Sequence, residues 1–194
     1  MKIRVKSLVS KEIKNLLETL KILENEKNYF IKNFDKLCQT SLKAIKRKKK
    51  IIFFGNGGSA ADAQHLAAEL CVKYKKKRKA IHGIALTADN SIITAAGNDF
   101  GFKFIFSRQI EAVGSPGDIA IALTTSGNSE NLIEAAKISN KKKIFTACFS
   151  GNNGGRIKRH VKCPIIIPSK TTSIIQVIEL LIGQILCEFL EENV

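Results

Sequence analysis

Five short apolar runs constrain this fold more than anything else in the sequence: IIFF (51–54), GIAL (83–86), IAIAL (119–123), IFTACF (144–149) and PIIIP (164–168). A strand with one wet face alternates apolar and polar residues. These runs do not alternate, so both of their faces must be covered. Helical segments separate them, and strands covered on both faces with intervening helices imply a parallel sheet flanked by helices, the α/β class.

Residues 7–49 add a helical extension before the sheet. IKNLLETLKIL and, after a polar break, YFIKNFDKLCQTSLKAIK carry apolar residues at helical spacing and predict two helices. At the other end, SIIQVIELLIGQILCEFL (173–190) is apolar but carries Gln176, Glu179, Gln184 and Glu188, which predicts a buried or interfacial helix rather than a membrane span. Ile174, Ile175, Ile178, Leu181, Ile182 and Ile185 occupy more than one of its faces, so a subunit interface is expected there. No long linker or low-complexity tract divides the chain. We read 1–194 as one domain, with 1–49 its N-terminal helices and 50–194 its core and C-terminal helix.

The junctions between strands and helices are built from small polar residues: FFGNGGSAADAQ, ALTTSGNSENLIEAA and, more loosely, CFSGNNGGRIKR. In an open parallel sheet, ligands bind beyond the carboxyl ends of the strands, where helix N-termini offer unpaired N–H groups and a positive dipole end to an anion. Glycine lets phosphate oxygens approach the backbone. Ser59 with Asp62 fits a capping box, and Ser126 and Ser129 are candidate hydroxyl donors or caps. One such loop is an ordinary turn as readily as a site, whereas two in one domain favour a phosphate site. A dinucleotide site is disfavoured: Gly55, Gly57 and Ala60 fit its loose pattern, but the position about 20 residues on falls in a lysine run rather than on an acid. No GK[ST] follows either loop, which removes a P-loop.

His65 and Glu69 are four apart on the helix that leaves the first loop, hence neighbours on one face. Such a pair ligates a divalent metal, transfers protons, or makes a plain surface hydrogen bond, and the spacing alone does not choose.

The charge balance is strongly basic, +15 from 32 Lys and Arg against 17 Asp and Glu, which favours anionic partners. Much of it lies in the runs 46–50, 75–79 and 141–143, read as solvated ends of elements; without interleaved aromatics or RNA-module signatures, nucleic acid is not the expected partner. Cys38, Cys71, Cys148, Cys163 and Cys187 are scattered and odd in number, as reduced thiols in a cytoplasm would be. The N-terminal stretch lacks an apolar core followed by a cleavage site, which argues against secretion.

Four stretches together, GNGGSAADAQHLAAEL, AAGNDFGFKFIFSRQIEAVG, GDIAIALTTSGNSENLIEAA and SGNNGG, resemble the sugar isomerase (SIS) domain and within it the bacterial phosphoheptose isomerases. The resemblance implies a five-stranded parallel sheet flanked by helices, a homotetramer with sites between subunits, and conversion of sedoheptulose 7-phosphate to D-glycero-D-manno-heptose 7-phosphate for surface polysaccharide. It implies that Asn56, Gly57, Gly58 and Ser59 line the substrate, that Thr124, Thr125, Ser126 and Ser129 cradle its phosphate, and that Asn98 and Asp99 contact the sugar. His65, Glu69 and Gln176 match zinc ligands, with His65 and Glu69 catalytic and Glu69 matching the proton-transfer residue. Zinc, one per subunit, is the implied cofactor.

The C-terminal helix departs from that pattern. Ile174 stands at an arginine position, Glu179 at a histidine position, and Gln184 at a second histidine that is both zinc ligand and acid/base partner. Glutamine offers an amide oxygen to a metal but moves no proton near neutral pH. Lys73 stands where arginine is frequent, keeping the charge without the planar fork. The missing histidine opens an alternative: similar SIS proteins are tetrameric regulators that bind the bacterial replication initiator and also lack it. The retained TTSGNS and NDFGF suit a sugar phosphate better.

Overall fold

The computed structural model describes residues 4–25 and 27–194, with side chains at 27 and 28 left aside. Two helices come first, α1 (Val5–Asn25) and α2 (Lys27–Lys46). The alternating part follows: β1 (Ile51–Gly55), α3 (Gly58–Cys71), β2 (Gly83–Ala85), α4 (Asn90–Phe100), α5 (Ile105–Val113), β3 (Ile119–Thr124), α6 (Glu130–Lys141), β4 (Phe145–Gly151), β5 (Cys163–Ile167) and α7 (Thr172–Asn193). All five apolar runs are strands, each within two residues of its expected ends. The polar break between α1 and α2 falls on residue 26, outside the described residues.

The strands form one parallel sheet in the order β2-β1-β3-β4-β5. The strand order reverses between β1 and β3, and at such a switch point the loops leaving the two strands diverge to opposite faces and leave a crevice. Alternate side chains explain the double covering. Ile51 and Phe53 of β1 join a core with Leu37 of α2, Leu66 and Leu70 of α3 and Ile178 of α7, while Ile52 and Phe54 join another with Ile105 and Ile110 of α5 and Leu132 of α6. Burial of each such side chain contributes about 1.5–3 kcal/mol; the inner strands β1 and β3 are buried throughout, while the edge strand β5 leaves Pro164 and Ile166 only half-buried.

Helix α7 divides the apolar set assigned to a subunit interface. Ile174, Ile175, Ile178 and Ile182 are buried in this chain's own core, a correction to their expected role, because the helix lies against α3 and the sheet. A Cβ at Gly183 would collide with Leu66, so the missing side chain is what lets α7 approach α3. Only Val177, Leu181 and Ile185, one stripe at four-residue spacing, stay exposed. By length and composition α7 would cross a bilayer, yet half of that apolar stretch is buried inside the protein.

The basic run 75–79 is also more than solvated lysine. Glu191 of α7 accepts the backbone N–H groups of Tyr74, Lys75 and Lys76 at 2.6–2.9 Å and pairs with the buried Arg78, whose guanidinium donates to the last carbonyls of α3 at Glu69 and Leu70. The run thus caps α3 and ties it to α7.

Candidate active site

The β1–α3 and β3–α6 loops leave the sheet on either side of the switch point. Asn56, Ser59, Thr124, Thr125, Ser126, Ser129 and Gln176 line one small polar cavity of about 70 Å³ between them. Gly57, at φ 56°, precedes α3, and no side chain caps that helix. Ser129 precedes α6 and likewise makes no side-chain cap. Both helix N-termini therefore keep their first N–H groups for a ligand. At Gly58, any Cβ would strike the Gln176 amide, so that glycine is the space Gln176 occupies.

The capping box expected at Ser59 and Asp62 does not form. Ser59 lies inside the first turn of α3, buried, and its hydroxyl donates to Glu179 Oε2 at 3.0 Å. Asp62 is half-buried, with one carboxyl oxygen enclosed and without a partner among the described residues. A hydroxyl engaged by a buried carboxyl group is not available to cap.

Glu179, which stands at a histidine position of the family pattern, has a structural role. It rises from α7 beneath both loops, fully buried, and its Oε1 accepts the Thr124 N–H at 2.9 Å. One carboxyl group thus ties the end of β3 to the start of α3. Burial pushes it up to about 8, against the lowering pull of the Ser59 and Thr124 donors. A neutral carboxyl group puts no negative charge behind an anion site. A second tie crosses the loops: Asn56 and Asn131 exchange reciprocal amide hydrogen bonds of 3.0 and 2.8 Å. The third glycine-rich loop holds no ligand-facing group in this cavity. It braces the second, with the Arg156 and Ile157 N–H groups donating to Asn128 Oδ1 and the Gly127 carbonyl.

His65 and Glu69 lie farther along α3, His65 Nε2 2.9 Å from Glu69 Oε1, with the Gln184 amide nitrogen 3.4 Å from the same imidazole nitrogen. Three of the four expected metal-site residues are thus brought together. Gln176 lines the loop cavity, whereas His65 and Glu69 border a separate surface hollow with Lys73. The strong zinc donors are one imidazole and one carboxylate, and no group of three His, Cys, Asp or Glu side chains converges among the described residues. That is fewer strong protein donors than a catalytic zinc site has, so no step below is routed through a metal. Asn98 and Asp99 bond to each other at 2.8 Å on exposed α4 and line neither hollow.

The SIS-domain family model matches residues 11–151. The chain is 50% identical over 151 residues to a phosphoheptose isomerase of Aquifex aeolicus, covering 78% of this chain and 79% of that one. With a phosphoheptose isomerase of Nitratiruptor it shares 43% over 183 residues, 93% and 96% of the two chains. The phosphoheptose isomerase structure from Neisseria gonorrhoeae superposes with a TM-score of 0.90 at 31% identity, covering 97% of this chain and all of that one.

Proposed function

This chain belongs to the SIS-domain family, and on that premise we propose that it is a phosphoheptose isomerase, converting sedoheptulose 7-phosphate to D-glycero-D-manno-heptose 7-phosphate through an enediol. The observation that carries the reading is the joined pair of uncapped helix N-termini at the switch point, with a carboxylate and an imidazole on the helix that leaves one of them. The cradle of Ser59, Thr124, Thr125, Ser126 and Ser129 takes the phosphate, whose binding fixes the reacting end. His65 stands six residues beyond Ser59, roughly 9 Å along the helix axis, and helix side chains lean back toward the N-terminus. An extended seven-carbon chain has that reach.

Moving a carbonyl from C2 to C1 requires one proton to leave C1 and one to arrive at C2, with another exchanged between the oxygens. Glu69 takes and returns the carbon-bound proton. His65, hydrogen-bonded to it, holds the carboxylate and exchanges protons with the oxygens, a task Gln184 cannot share. Zinc would take His65 and Glu69 as its strong ligands with a Gln184 amide oxygen, and would supply polarisation of the substrate oxygens; two strong donors make for weak retention. Asn98 and Asp99 reach a sugar from another copy in the homotetramer, and the exposed Val177–Leu181–Ile185 stripe is the face such a copy would cover. The enzyme would work in the cytoplasm, toward surface heptose. The named relatives are isomerases, which does not favour the replication-regulator alternative.

The test is a stopped assay for the aldose product from sedoheptulose 7-phosphate, with and without added zinc. Turnover is expected under both conditions. Binding of the ester with no product under either condition would overturn the assignment.

A further inference from the structure

Two of the lysine runs meet at the end of the sheet remote from the cradle. There a cleft of about 470 Å³ opens between the C-terminal part of α2 and the segments that enter β1, β3, β4 and β5. Lys43 of α2, Arg47 in the turn just after it, Lys49 before β1, Lys143 before β4 and Lys162 before β5 stand around it. Ala44, Ile119 and the half-buried ring of Phe145 form its floor. Strands of five to seven residues put this cleft about 20 Å from the cradle.

Cations at the C-terminus of α2 partly complement its dipole, but that accounts for two of the five. None of the five has a carboxylate within 4 Å among the described residues. The acid closest in sequence to β3, Asp118, is already held by Lys50 Nζ at 2.7 Å and by the N–H groups of Lys50 and Ser115. Lys143 sits at φ 59°, a left-handed position that favours glycine, so the cationic side chain is kept there at a conformational cost. Four of the five side chains are exposed and Lys49 is half-buried; unpaired and of one sign, they repel one another and raise the positive potential over the cleft, a penalty that a multivalent anion reverses.

We propose that this cleft is a second anion site, distinct from the catalytic cradle, and that it takes a nucleoside polyphosphate. The five-cation rim matches several phosphate charges, and the flat apolar floor beside Phe145 suits a base, which bare polyphosphate would leave unused. The volume lies within the ordinary range for small-molecule sites, roughly 300–1,000 Å³.

Calorimetric titration of the full chain with ATP, inorganic triphosphate and single-stranded RNA tests this. Saturable ATP binding is expected, tighter than triphosphate, and at least tenfold weaker in Arg47→Glu/Lys143→Glu. Lys43→Gln/Lys162→Gln, which removes rather than reverses charge, weakens it less, and circular dichroism melts establish that both variants fold. A charge-matched control on α1, Lys11→Glu/Lys21→Glu, leaves ATP affinity within about twofold, and Ser126→Glu in the cradle does the same. ATP binding that survives both cleft variants, or that is lost in Ser126→Glu or the α1 control, would overturn the site. RNA binding more tightly than ATP, and lost in the cleft variants, would overturn the small-ligand reading.

Discussion

The cradle and the His65–Glu69 face share helix α3 yet are built in opposite ways. The cradle is tied together within one chain: Glu179 and the Asn56–Asn131 pair lock its two loops from behind, and a third loop braces one of them from the side. The His65–Glu69 pair is open, with 46% of the His65 side chain and 20% of the Glu69 side chain exposed beside uncovered Val72. The difference separates two tasks. Holding a phosphate needs fixed donors, whereas proton transfer needs a carboxylate shielded from water, and that shielding must come from substrate or another copy.

The contrast is broken most severely at Glu69. Glu69→Gln should lower kcat by about 10²–10⁴-fold while the ester still raises the melting temperature, because the cradle is untouched; steady-state kinetics and thermal melts read the two separately. Glu179→Ala attacks the other region. Two buried donors lose their acceptor at about 1–3 kcal/mol each, so stability falls and KM rises more than kcat falls. Gln184→His sharpens the comparison from the open side: a second imidazole beside His65 should tighten zinc by about tenfold or more, measured by competition with a chelator.

The last test is a pH slope. The Glu179 carboxyl group is raised from 4.5 to about 8 in the folded state, so between those values the folded chain holds a proton the unfolded chain has released. Stability from this group is greatest below pH 4.5 and falls as pH rises toward 8. In Glu179→Gln that component of the slope disappears, which denaturant unfolding across this range would detect.

Both regions were legible in the sequence to different depths. The strands and the loops were readable because double-faced burial and small-residue junctions are local patterns, and the His65–Glu69 pairing follows from helical spacing. What locks the cradle was not. Asn131 looks like any polar residue early in a helix, and only the parallel β1–β3 pairing brings it to Asn56, 75 positions away. Glu179 read as a lost histidine, since a pattern along α7 cannot tell that this position lies under Ser59 and Thr124. Ile174, Ile175, Ile178 and Ile182 failed as interface markers for the same reason, while Ile185 stays exposed: composition fixes how much apolar surface a helix carries, and tertiary packing decides which of it stays outside.

In the proposed mechanism a prebuilt phosphate cradle presents a ketose to a single proton-transferring carboxylate. Nuclear magnetic resonance of sedoheptulose 7-phosphate incubated with the protein in deuterated water tests it most directly. We expect the aldose product to appear carrying deuterium at C2, with the label lost in Glu69→Gln. Ester that binds and returns unchanged, without deuterium at either carbon, would contradict the claim.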